Sequence, residues 1–200
     1  MNSIRKVSSN EEHRLLGDRL KSCFRSSSLA EHASIFTCPL KNFLLFDEQY
    51  ITEPKLMNEF LRIGERDYYI GSLINFPVAP YETPSYYVSR EATLADVTEA
   101  FNASLNAADG PIQLFVDSGF VIPIADAWVI WFSAYWEVAI AAFASLGDAE
   151  MFRARHSRIP FKGRDAILER YAMNPASKAS VMLAYYMDRN SADQAGSKGN

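Results

Sequence analysis

A chain of 200 residues is long enough to bury roughly 70% of its extended surface, so its core needs no covalent staples. With 48% hydrophobic, 22% charged and 13% aromatic residues, disorder is excluded over most of the length. Two cysteines, Cys23 and Cys38, are too few for a disulfide framework or a four-cysteine zinc site, and they fit a reducing compartment. The first 25 residues carry Arg5, Lys6, Glu11, Glu12, Arg14, Asp18 and Arg19 with no apolar stretch of secretory length, so a cytoplasmic protein is expected. The longest apolar run, Ala127 to Phe143, is interrupted by Glu137 and falls short of the roughly 20 clean residues that a membrane span requires.

In chain order, Leu15, Leu16, Leu20 and Phe24 fall at helical spacing and predict an amphipathic helix over Asn10 to Phe24, broken by Ser26-Ser27-Ser28. From Ser34 to Phe46 the apolar residues come in short runs on either side of Pro39, which reads as extended or turn structure. Thr52 before Glu53 and Pro54 opens a second helix, with Leu56, Met57, Phe60 and Leu61 as its apolar stripe and Gly64 as its stop. Tyr68 to Ile74 suits a strand, and Tyr86-Tyr87-Val88 suits its hairpin partner across a proline-rich loop. Thr93 followed by Asp96 is a capping arrangement, and Leu94, Val97, Ala100, Phe101 and Leu105 then mark a helix that ends at Asp109-Gly110-Pro111.

Ile112 to Val116 and Phe120 to Ile124 read as strands joined by Asp117-Ser118-Gly119, with the glycine supplying a positive φ. Trp128 to Phe132 reads as a further strand buried on both faces. The alanine-rich stretch Ala134 to Leu146, preceded by Ser133 as a cap, is expected to form a buried helix rather than a fourth strand. Beyond Gly147 the chain turns basic. Helical stretches are expected at Asp165 to Met173 and Ala176 to Met187, and a disordered tail at Ser191 to Asn200. No internal repeat or long linker divides the chain, so the expected fold is one α+β domain over residues 1–190, a small and mostly antiparallel sheet packed with several helices.

Charge is unevenly distributed. Residues 1 to 81 are balanced, while Glu82 to Glu150 hold ten acids and only one base, Arg90, for a net charge of -9. The last 50 residues carry +5. A field of one sign accelerates encounter with a partner of the opposite sign. Some of these acids also have local explanations, since Asp96 falls in a first helical turn and Asp109 and Asp117 fall in turns.

The motifs of common catalysis are missing. His13, His32 and His156 stand far apart without HExxH, HxH or CxxC spacing, which excludes the usual zinc ligand sets. A cysteine nucleophile paired with His32 or His156 lacks any family signature; the alternative is a buried thiol and a surface imidazole. Ser118 lacks the glycines of a GxSxG elbow, and no phosphate loop occurs. Asp117, Asp126 and Glu137 form a carboxylate set that a hydrolase would need to converge. Arg153, Arg155, His156, Arg158, Lys162 and Arg164 form a basic cluster that counterion release would reward on RNA, although the acidic balance of the chain and the absence of an RNA-binding signature favour a charged loop between helices. Trp128, Trp131, Tyr135 and Trp136 are read as core, with an interface as the alternative, since bulky aromatics dominate both.

The capped helix at Thr93, the strand Trp128-Val129-Ile130-Trp131-Phe132 and the following Trp136-Glu137-Val138-Ala139-Ile140 together resemble the acidic immunity proteins of bacterial polymorphic toxin and contact-dependent growth inhibition systems. The resemblance covers about Thr93 to Phe143. It implies a cytoplasmic protein without enzymatic activity or cofactor, which binds and neutralises a cognate basic toxin domain such as a nuclease. Asp96, Glu99, Asp109, Asp117, Asp126 and Glu137 of the acidic block are the candidate partner-binding residues. A small hydrolase and an RNA-binding accessory protein remain the alternatives.

Overall fold

In the computed structural model, residues 3–27, 35–37, 39–53, 55–57, 59–60, 66–73, 76–82, 85–105, 118–124 and 128–162 are described, without the side chains of residues 82 and 101–105. Their elements are β1 (Ile4–Lys6), α1 (Asn10–Cys23), β2 (Asn42–Phe46), α2 (Gln49–Thr52), β3 (Tyr68–Ser72), β4 (Ser85–Val88), α3 (Leu94–Leu105), β5 (Gly119–Pro123), β6 (Trp128–Ser133), β7 (Val138–Phe143) and α4 (Leu146–Arg155). The strands form one seven-stranded sheet in the order β1-β4-β3-β5-β6-β7-β2. Every neighbouring pair is antiparallel, so the fold is α+β.

Side chains alternate between the two faces of a strand, and here both faces are covered. Phe43 and Leu45 of β2, Phe120 and Ile122 of β5, Val129 and Trp131 of β6, and Val138, Ile140 and Ala142 of β7 pack beneath α1. Leu44, Phe46, Val121, Trp128, Ile130, Phe132, Ala139, Ala141 and Phe143 face the opposite layer, which holds α2, α3 and α4. Burial on both sides explains why β5, β6 and β7 read as continuous apolar runs without polar alternation. Each fully buried Phe or Leu in these layers contributes about 1.5–3 kcal/mol over an exposed one.

The helix over Asn10–Cys23 forms as expected, capped by the Ser9 hydroxyl, which accepts from the Glu12 amide at 3.2 Å. Leu16, Leu20 and Phe24 are its buried row, while Leu15 turns outward. Phe24 carries the packing into the extended segment beyond, with Phe36 at 5.6 Å and Phe36 in turn 5.6 Å from Phe43. The β3–β4 hairpin matches expectation, in the register Tyr69 opposite Tyr87. Residues 55–57 and 59–60 are helical, with the Met57 amide donating to the Glu53 carbonyl at 2.8 Å, so that helix begins after Thr52. The strand expected at Ile112 to Val116, the two C-terminal helices and the tail lie outside the described residues.

Three expectations are corrected. Ala134 to Leu146 is not a helix: Val138–Phe143 is β7, hydrogen-bonded between β6 and β2. Alanine favours a helix in isolation, but a strand flanked on both sides and covered on both faces satisfies all its backbone groups. Its alanines leave room for the aromatic side chains above them. The helix occurs one step later, as α4, where the Ser145 hydroxyl accepts from the Asp148 amide at 3.1 Å. The basic segment therefore starts on the last turn of α4, rather than in a loop between helices.

Gly119 is not a positive-φ turn residue, since no described glycine has positive φ. It is the first residue of β5, opposite Phe132, and a Cβ there would lie 2.8 Å from the Gly71 carbonyl oxygen and collide with the Phe132 ring. Lack of a side chain, rather than backbone freedom, makes glycine necessary at this point.

Both sheet edges are tied down. At β1, Arg5 forms a bidentate pair with Glu12 of α1 at 2.6 and 2.9 Å and lies over the Tyr87 ring, 4.8 Å from its centroid. At β2, the Lys162 amide donates to the Leu45 carbonyl at 2.7 Å, and its ammonium pairs with Asp47. A chain segment across an edge strand blocks its use as a template for another chain.

Candidate partner-binding surface

Asp96 is committed to the start of α3. Its carboxylate accepts from the Thr93 amide and hydroxyl, both at 2.8 Å, and its own amide donates to the Thr93 oxygen at 3.2 Å. The Thr93 backbone N–H, with help from the hydroxyls of Thr93 and Ser3, holds this carboxyl below the usual carboxylate range. That is a reciprocal capping box with aspartate in the glutamate position. Glu99 lies one turn later on the same helix side and is exposed, as is Glu91 just before the helix. Among the described residues neither enters a salt bridge, and the same holds for exposed Glu150 on α4. Asp109, Asp117 and Asp126 lie outside the described residues.

Glu137 occupies the turn between β6 and β7. Its φ of 49° places it in the left-handed region, the one described non-glycine residue with positive φ. A residue with a Cβ costs about 1–2 kcal/mol there, which glycine or asparagine largely avoids. The turn is held by the Ser133 hydroxyl, which accepts from the Trp136 amide at 3.3 Å, and by the Ala134 carbonyl, which accepts from the Glu137 amide at 3.3 Å. Of the carboxylate set Asp117, Asp126 and Glu137, only Glu137 is described. It stands at the far end of β6 from Trp128, the strand's first residue.

The aromatic series divides by burial. Trp131 is wholly buried, with its indole N–H donating to the Ser27 carbonyl at 3.1 Å, and Trp128 is buried beside Phe152 at 5.1 Å. Both are core. Trp136 is half-buried against the core under α1, and Tyr135 is 72% exposed, with its ring perpendicular to the Trp136 ring at 4.8 Å. Tyr135 and Trp136 fall in the stretch expected to be a helix, whereas Trp128 and Trp131 lie on the strand expected for them. The segment Ala134-Tyr135-Trp136-Glu137 contains no glycine, proline or asparagine to signal a turn.

Among the described residues, only part of the basic cluster is at the surface and unpaired. Arg153, Arg155 and Arg158 are exposed, Lys162 is engaged with Asp47, and Arg164 lies outside the described residues. His156, expected at the surface if it had no catalytic role, is 2% exposed, stacked on Phe60 at 4.9 Å and tilted against Phe152 at 4.2 Å. Burial, and secondarily the Arg155 charge, pushes its imidazole down to about 4. Cys23 sits in the core on the α1 side, across the sheet from His156, so the two do not meet; burial pushes its thiol up. Tyr68, buried beside Trp128, is pushed up to about 12 by the same desolvation.

Among the described residues no group of three or more His, Cys, Asp or Glu could hold a metal ion, and no helix is long and apolar enough to cross a membrane. What the surface offers is a set of exposed carboxylates on α3 and α4, with an aromatic and acidic turn at one end of the sheet. Comparison with protein-family models, with curated proteins and with solved structures gave no match.

Proposed function

We propose that this chain is a stoichiometric protein inhibitor, in its most specific form a cytoplasmic immunity protein that covers the basic, substrate-binding face of a cognate toxin domain. The observation that supports it best is the charge separation along the chain. Residues 82 to 150 hold ten acids against one base, and Glu91, Glu99 and Glu150 in that block are exposed without ion-pair partners among the described residues. Asp96 is spent on a helix cap, which reduces the candidate set without removing its acidic character. An exposed field of one sign attracts a partner of the other and repels wrong ones, and inhibition by coverage needs no cofactor.

The test is direct. The purified chain is titrated calorimetrically with the toxin domain encoded by the reading frame immediately upstream. One-to-one binding that weakens with rising salt is expected. Absence of binding, or binding indifferent to charge reversal at Asp117, Asp126 and Glu99, would overturn the proposal.

A further inference from the structure

We propose that the Tyr68 hydroxyl, the His156 imidazole and the Arg155 guanidinium form a binding site for a small phosphate-class oxyanion, between the end of α4 and the sheet. Buried polar atoms in folded proteins almost always have hydrogen-bond partners, so each exception asks for an occupant. Two exceptions stand in one apolar layer. The Tyr68 hydroxyl and the His156 Nδ1 have no partner among the described residues, and the two residues are 1% and 2% exposed. Their rings border the same aromatic nucleus: Tyr68 lies 5.9 Å from Trp128, Trp128 lies 5.1 Å from Phe152, and Phe152 lies 4.2 Å from His156.

Charge is the independent observation. Arg155 is exposed on the last turn of α4, enters no salt bridge among the described residues, and its charge acts on both Tyr68 and His156. Arg66 acts on Tyr68 as well; Asp67 is the carboxylate facing Tyr68, and it accepts from the Arg90 amide at 3.0 Å. Near neutral pH both buried groups are uncharged, since burial holds the phenol up at about 12 and the imidazole down at about 4. A neutral phenol and a neutral imidazole each have one proton to donate. Donors from β3 and from the residue after α4, beneath a guanidinium, suit an anion whose acceptor oxygens point in several directions, as those of phosphate do. The negative pole at the end of α4 opposes an anion, and Arg153 and Arg155 in the last turn offset it. A water molecule would satisfy the two donors but would make no use of the cation.

The probe is inorganic phosphate, titrated into the full chain in phosphate-free buffer and compared with sodium chloride at matched ionic strength. Binding is read from the imidazole nitrogen shifts of His156 by NMR and from Tm. Phosphate should give saturable shifts and a higher Tm, and chloride neither. Tyr68→Phe and Arg155→Gln should each weaken phosphate binding by roughly tenfold or more, while Arg153→Gln stays within about threefold. Without phosphate, Tyr68→Phe should melt at or above the native temperature, because it keeps the ring and removes an unpartnered hydroxyl. Adenosine monophosphate separates the two sources of the anion: tighter binding than phosphate assigns the site to a phosphoryl group on a larger molecule, weaker binding to the free ion. No saturable response to either compound, or the same response to chloride, would leave the two donors to buried water and overturn the site. Equal losses in Arg153→Gln and Arg155→Gln, or a lowered Tm of Tyr68→Phe in phosphate-free buffer, would overturn it as well.

Discussion

The imidazole of His156 lies 4.2 Å from the ring of Phe152, one helical turn earlier on α4, and 4.9 Å from Phe60, so a titratable group is enclosed by the apolar layer between α4 and the sheet. Its Nδ1 has no hydrogen-bond partner among the described residues. A cation in that position would be desolvated and uncompensated, and the folded chain keeps the ring neutral.

Acid sensitivity follows from this pair. The imidazole titrates near 4 when folded and near 6.5 when unfolded, so the unfolded chain takes up a proton across that interval while the folded chain does not. The stabilisation is complete above about pH 6.5 and lost as pH falls toward 4, on the order of 2–3 kcal/mol in all. His156→Phe keeps the stack and removes the titration. Urea midpoints measured between pH 7 and 4.5 should fall steeply for the native chain and distinctly less for the variant.

Gly119→Ala should be destabilising by about 1–3 kcal/mol, since the added methyl meets the Gly71 carbonyl and the Phe132 ring inside the sheet. Gly147→Ala is the control, because nothing lies within 4 Å of a Cβ there. Thermal melts should separate the two clearly, and equal Tm values would contradict the packing at β5.

Loss of the Thr93 hydroxyl removes one half of the cap on α3. Thr93→Ala should cost about 1 kcal/mol, or about 2–4 °C in Tm, and Thr93→Ser should restore it. Asp96→Ala should likewise lower Tm, with an effect on partner binding smaller than that of Glu99→Lys, because the Asp96 carboxylate already serves Thr93.

Glu99→Lys touches no described partner and should leave stability within about 0.5 kcal/mol. Its expected effect is on encounter. The association rate with the proposed basic partner should fall several-fold at low salt, and the difference should shrink as the Debye length drops to about 8 Å at physiological salt and below. Stopped-flow rates at several salt concentrations provide the measurement.

Where local chemistry and tertiary environment agreed, the elements were legible in advance. Leu16, Leu20 and Phe24 announce α1, Thr93 with Asp96 announces α3, and Tyr68 to Ser72 with Tyr86 to Val88 announce a hairpin. One available signal was passed over: Ser145 and Asp148 repeat the capping spacing of Thr93 and Asp96, and they start α4. The β6–β7 turn carried no such signal, because Ala134 to Glu137 lacks any turn-forming residue and the alanines beyond it favour a helix in isolation.

By itself the sequence determined the α+β class, the apolar runs that become β5 and β6, the helix cap at Thr93, and the acidic block from Glu82 to Glu150. These follow from composition, from spacing of three or four residues, or from charge, all of which are local properties of the chain. Only the tertiary structure decided that Val138–Phe143 is a strand, that Gly119 is present for want of space, that His156 is buried among aromatics, and that Tyr135 faces solvent while Trp131 does not. Each of those depends on what lies across the sheet or above it. Such contacts join residues far apart in sequence, and no periodicity in the chain records them.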